Sequence, residues 1–187
     1  MQGLSVRHED VEEFLSDTNV FLARYASGEK EHESSKRLIQ ATEEGRLKAV
    51  TSTLTLVEIA SSVRRTPGKF DGKTSSDVAG SFVRRALSLR NLEYVPLGGE
   101  MSHDGRAGGT KVPLMFSAAL KAVKTLPLRT LDLLHIASAY VAMRILRDDL
   151  SYFATLDEGI LGQGKPIREF LSCPAVRPSE LVRLEGL

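Results

Sequence analysis

Residues 150–160 read LSYFATLDEGI. Leu150 to Thr155 forms a short strand pattern, and the polar turn after it carries Asp157. Before it, Thr130 to Arg147 shows helical spacing, with Leu133, Ile136, Ala137, Tyr140 and Val141 on one face. The same unit opens the chain: Val11 to Ser16 (VEEFLS) is a strand pattern that ends directly at Asp17. Leu47–Thr51 and Leu92–Leu97 supply two more strands, and Ala175–Arg177 a short fifth. Helical patterns fall between them at Val20–Tyr25, Glu31–Glu44, Thr55–Arg65, Val78–Asn91 and Pro113–Lys124. Strands alternating with helices predict the α/β class: a central parallel sheet of four to five strands, covered on both faces. In such sheets ligands bind beyond the carboxyl ends of the strands.

The chain has 187 residues, which suits one domain spanning 1–187. Apolar residues make up 42% and charged residues 26%, the proportions of a globular protein rather than a disordered one. A net charge of +1 excludes a polycationic nucleic-acid coat but leaves room for a local basic patch. Cys173 is the sole cysteine, so neither an intrachain disulfide nor a cysteine-built zinc site is available. The start, MQGLSVRHEDVEEF, has no apolar signal segment. Leu131–Leu146, the most apolar stretch, contains Asp132, His135 and Arg144 and is not a membrane span. A cytoplasmic location is therefore expected. Two segments read as loops: 66–77, rich in Pro, Gly and Ser, and the Gly-rich insertion at 98–110.

Asp17 and Asp157 follow strands, while Glu58 and Asp132 lie in first turns of helices. Each has an ordinary explanation. Thr55-Leu56-Val57-Glu58 fits a capping box. Asp132 complements a helix dipole. Asp17 and Asp157 suit turns or N-caps. Together they tell a different story. Four carboxylates at one sheet edge, with no cation paired to them in sequence, repel one another and raise their pKa values. A divalent ion with hard oxygen ligands relieves that, and Mg2+ or Mn2+ suits phosphate chemistry.

The segments SDTNVFL (16–22), TLVEIASSVRR (55–65), LRTLDLLHIASA (128–139) and FATLDEGI (153–160) carry these acids in order. The ordered set Asp-x-Asn, Glu, Asp, Thr-x-Asp resembles the PIN-domain family of ribonucleases, and more narrowly its VapC-type toxins. The resemblance runs from about Val11 to about Leu181. It implies a three-layer α/β/α sandwich and a metal-dependent endoribonuclease. Asp17, Glu58, Asp132 and Asp157 match the acidic quartet that holds Mg2+ or Mn2+, with Asn19 and Thr155 in support. RNA is then the substrate, and a homodimer mate and an antitoxin protein are the expected partners. In-line attack would leave a 5′-phosphate and a 3′-hydroxyl. The Gly-rich insertion and the long interval from Asp132 to Asp157 depart from the usual pattern.

Cations for RNA phosphates are expected at Arg65 and Arg129; Arg64, Arg84, Arg85, Lys121 and Lys124 read equally well as solvated surface charge. His135 reads as a packed helix histidine rather than a member of the site. Gly72-Lys73-Thr74 fails as a phosphate loop, because Pro67 stands where the first glycine belongs. With no tryptophan, an obvious base-stacking platform is missing. Three rival readings share parts of this chemistry. A stand-alone RNA-processing nuclease would use the same acids. A receiver-like signalling module would want a lysine after a late strand, and FATLDEGI has none. A non-catalytic binding protein would not need all four.

Overall fold

The computed structural model describes residues 11–66, 75–96, 98–102, 111–146 and 149–187. At its centre is β1 (Glu13–Ser16), paired in parallel with β2 (Lys48–Ser52) on one side and β6 (Leu150–Ala154) on the other. Beyond them lie β3 (Leu92–Val95) and β7 (Ala175–Val176), giving a five-stranded parallel sheet of order β3-β2-β1-β6-β7. Hairpins cannot join parallel neighbours, so the connections cross over and carry helices.

The pleat divides the strand residues between two apolar layers. Phe14, Ala49 and Ala154 pack with Val20, Leu38 and Leu181, from α1 (Thr18–Tyr25), α2 (His32–Glu43) and α9 (Pro178–Leu184). Leu15, Val50 and Phe153 point the other way. They pack with Ala118, Ile136 and Ile167 of α5 (Leu114–Ala122), α6 (Thr130–Val141) and α8 (Gly164–Leu171). The result is the expected α/β/α sandwich. Phe14, Leu15 and Phe153 are fully buried, and each such side chain contributes ~1.5–3 kcal/mol. A third cluster, with Phe21, Ile59, Val63, Ala79 and Ala86, joins α1 to α3 (Leu54–Arg65) and α4 (Ser75–Leu87).

Several boundaries differ from the sequence reading. The strand expected from Val11 begins at Glu13. β3 stops at Val95, one residue before Pro96, which has no N–H for a ladder. α4 ends at Leu87 rather than Asn91, because Asn91 is left-handed (φ 56°) and its amide donates to Thr42 O at 3.0 Å. The segment read as a Gly-rich loop contains β4 (Glu100–Ser102), antiparallel to β5 (Lys111–Pro113); 103–110 lie outside the described residues. Gly72, Lys73 and Thr74 also lie outside them. α6 gives way at Ala142–Leu146 to a wider π-helical turn. Three short helices, α7 (Glu158–Leu161), α8 and α9, have no counterpart in the sequence reading. Among the described residues, no helix is long and apolar enough to cross a membrane.

Candidate functional site

The central strand delivers Asp17 to the carboxyl edge of the sheet, where its N–H donates to Ala154 O at 3.0 Å. Asp17 is only 5% exposed. It caps α1: Oδ1 accepts from Thr18 N at 2.7 Å. Its other oxygen, Oδ2, accepts from Asn19 Nδ2 at 2.9 Å and from Thr155 Oγ1 at 2.7 Å. Burial pushes the Asp17 carboxyl above the ordinary aspartate range, against the opposing pull of His135, Thr155 and Thr18.

Glu58 does not close a capping box. α3 starts at Leu54, one residue earlier than expected, and its N-cap is Thr53 rather than Thr55, so Glu58 falls beyond the first turn and its carboxylate turns inward. Oε2 accepts from Thr18 Oγ1 at 2.5 Å and from His135 Nε2 at 2.6 Å. Thr55 Oγ1 backs Thr18 Oγ1 at 3.2 Å, and Thr51 lies 2.9 Å behind Thr55. Burial alone would raise the Glu58 pKa, but the bonds from His135 and Thr18 outweigh it and hold the carboxyl low. The same pair acts on His135: burial disfavours the imidazolium, and Glu58 and Asp17 more than offset it, so its pKa is raised. His135 Nε2 also lies 3.7 Å from Asp17 Oδ1. Ligand atoms of Asp17, Glu58 and His135 all fall within 4.8 Å of one another.

Asp132 and Asp157 form the second half of the site. Asp157 caps α7, its Oδ1 accepting from Gly159 N at 2.8 Å and Ile160 N at 3.1 Å. Asp132 sits in the first turn of α6, as read from sequence. The Arg129 guanidinium spans them, with Nε at 3.0 Å from Asp132 Oδ2 and Nη2 at 2.8 Å from Asp157 Oδ2. Thr155 joins the two halves: besides donating to Asp17, it accepts from Asp157 N at 3.0 Å and Asn19 Nδ2 at 3.2 Å. Asn19 Oδ1 in turn accepts from Leu156 N at 2.9 Å.

Two clefts meet at Leu156 and Asp157. One, of about 410 Å3, runs past Asn19, Leu22 and Ala26 to Arg65 and Thr66 at the end of α3. The other, of about 440 Å3, is lined by Leu128, Arg129, Asp132 and Gly159. Arg65 thus lies along the approach to the carboxylates, and its charge reaches Glu58.

The acids fall into two pairs, Asp17 with Glu58 and Asp132 with Asp157, and two expectations need correcting. The carboxylates do have cations: Arg129 serves Asp132 and Asp157, and His135 serves Glu58 and Asp17. Burial is therefore the main cause of the raised Asp17, with repulsion from Glu58 the least of its causes. His135, read from sequence as core packing, is 2% exposed yet bonded to the site. The signal for it is its position one turn after Asp132 on α6. Thr18 is absent from the sequence reading altogether; its place directly after Asp17 carries no distinguishing pattern.

Residues 14–161 match the family model of the PIN domain. The chain belongs to the PIN-domain family. Among solved structures, this PIN-domain chain is similar to VapBC2 from Rickettsia felis, solved bound to a DNA fragment from its promoter. The TM-score is 0.54 at 11% identity, over 88% of this chain and 98% of that one. It is also similar to VapC20 of Mycobacterium tuberculosis, described as a toxin that cleaves the sarcin-ricin loop. There the TM-score is 0.47 at 16% identity, over 75% of this chain and 86% of that one. At such identities the likeness to VapBC2 speaks to the fold. No curated protein matches the sequence.

Proposed function

We propose that this PIN-domain protein is a metal-dependent endoribonuclease, one nuclease domain acting as the toxin of a toxin–antitoxin pair. The observation that carries the reading is the convergence of Asp17 and Glu58 with Asp132 and Asp157 across Thr155 at one sheet edge. The donor set fits a hard divalent ion. Carboxylate oxygens suit Mg2+ or Mn2+, and the buried Asp17 needs a cation once it ionises. Asp17, Glu58, Asp132 and Asp157 would hold it. When bound, such an ion acidifies water and offsets the charge that builds on phosphate oxygens.

The chain's own residues do the rest. Thr155 and Asn19 hold Asp17 in one orientation by fixing Oδ2. Thr18 does the same for Glu58. Arg65 and Arg129 stand along the two clefts, where they meet phosphates of a strand laid across Asp157. Leu22, Ala23, Ala26 and Leu156 give that path an apolar wall for a base. The partners in this reading are RNA, an antitoxin protein and a second copy of the chain, and the likeness to VapBC2 supports the toxin–antitoxin setting.

Labelled single-stranded RNAs, incubated with Mn2+ or with EDTA, test the reading alongside Asp132→Asn. Cleavage that needs both metal and Asp132, leaving 5′-phosphate ends, is expected. Cleavage that persists in EDTA or in Asp132→Asn refutes it. One observation favours a second reading, a binding protein without catalysis: Arg129 and His135 already neutralise the carboxylates in pairs. RNA binding with no cleavage in Mn2+ would select it.

A further inference from the structure

We infer that His135 is a positioning residue that fixes the Glu58 carboxylate for the ion, and is not itself a metal ligand; this rests on the metal-dependent reading above. An ionised carboxylate offers only acceptors. At 2.6 Å from Glu58 Oε2, His135 Nε2 therefore carries the hydrogen, and its lone pair is not available to a metal. The other ring nitrogen, Nδ1, is buried with no hydrogen-bond partner among the described residues. Among the described residues, one bond, to Glu58, is all the imidazole makes through its nitrogens, besides its approach to Asp17 at 3.7 Å.

That arrangement argues against a packing role. An unpartnered buried nitrogen costs stability, whereas an apolar side chain here would not carry that cost. What the histidine supplies is order. Glu58 has a long side chain, and freezing it takes rotamer entropy at the moment of binding unless it is already held. Thr18 and His135 hold the same oxygen from two directions. Because His135 rides on α6 with Asp132, the bond also ties the carboxylate of α3 to the helix that carries another acid of the quartet.

Isothermal titration of the full chain with Mn2+ tests this, using wild type, His135→Leu, His135→Ala and His135→Gln, each with its melting temperature. Glutamine presents an N–H near the position of Nε2. We expect a Kd raised ~10–100-fold in the leucine and alanine variants, the usual cost of removing a partner of a metal ligand, and near-wild-type affinity in His135→Gln. His135→Leu should stay folded but melt below the wild-type temperature, since it gives up the bond to the ionised Glu58. Wild-type binding with unchanged or tighter affinity in His135→Leu and His135→Ala overturns the positioning role. So does an equal loss in His135→Gln. No Mn2+ binding by the wild type overturns the metal reading itself, and the role of His135 with it.

Discussion

Thr155→Val is the sharpest test of how the two halves of the site are joined. The Thr155 hydroxyl is 0% exposed and uses its full capacity of one donor and two acceptor positions. Valine keeps the shape and removes all three bonds. Losing a hydrogen bond to the charged Asp17 costs about 1.5–3 kcal/mol, and stranding the Asp157 N–H costs about 1–3 kcal/mol more. Asn19 loses least, since its amide keeps its bond to Asp17 Oδ2 at 2.9 Å. The sum is about 2.5–6 kcal/mol, or about 5–24 °C in Tm for a chain of this size. Thr155→Ser keeps the hydroxyl and gives up one methyl, costing about 1 kcal/mol. Urea and thermal unfolding in EDTA measure both. The pH dependence carries a sign. Thr155 lowers the Asp17 pKa, so its removal raises the folded value further above 3.8. A raised folded pKa contributes stability in acid and loses it as pH climbs through that value. The gap between wild type and Thr155→Val therefore widens from pH 4 to pH 8. A cost below about 1 kcal/mol for valine, or a serine variant as unstable as valine, would refute the account.

Arg129 competes with a divalent ion for Asp132 and Asp157, so Arg129→Ala should tighten Mn2+ binding in calorimetry. It should also weaken RNA binding and flatten its salt dependence by ~0.7 in log–log slope for each phosphate that the guanidinium no longer neutralises. The Tyr94 hydroxyl is buried without a partner among the described residues, and its pKa is pushed up to about 12 by burial. Tyr94→Phe should therefore leave stability in urea unchanged or raise it by ~1 kcal/mol. Burial pushes the Cys173 thiol up to about 11, so it should resist a thiol reagent at pH 8 in the native protein and react promptly in denaturant.

Local pattern is enough for the central strands. LSYFAT and VEEFLS each end at a polar turn, and β1 and β6 lie side by side with Leu15 opposite Phe153. Asp17 and Asp157 follow, because a parallel sheet gathers strand ends at one edge. What sequence does not disclose depends on residues distant in the chain. His135 meets Glu58 across 77 residues, and Arg129 meets Asp157 across 28, although its i,i+3 partner Asp132 lies within reach of a helical reading. Glu58 departs from its capping-box reading through a shift of the helix start: Thr53 takes the N-cap, and the Thr55 hydroxyl goes to Thr51 and Thr18 instead. The short helices of the last third have too few turns for periodicity. α8 begins at Gly164-Lys165-Pro166 and buries only Ile167 and Leu171.

Asp17 and Asp157 each divide their labour, one oxygen closing a helix and the other bonded to a side chain of the site. That has a practical bearing on how an inert version of the protein is made. Alanine at either position removes a cap worth about 1 kcal/mol along with the chemistry, so the silence of such a mutant would have two explanations, lost chemistry and lost stability. Asparagine caps as well as aspartate does. At Asp17 an amide would still turn an NH2 group toward the donors Asn19 and Thr155. At Asp157 it gives up only a pairing with Arg129, whose side chain is 78% exposed. If the proposed nuclease reading holds, Asp157→Asn is thus the substitution of choice for trapping a bound strand intact in a chain that keeps its shape.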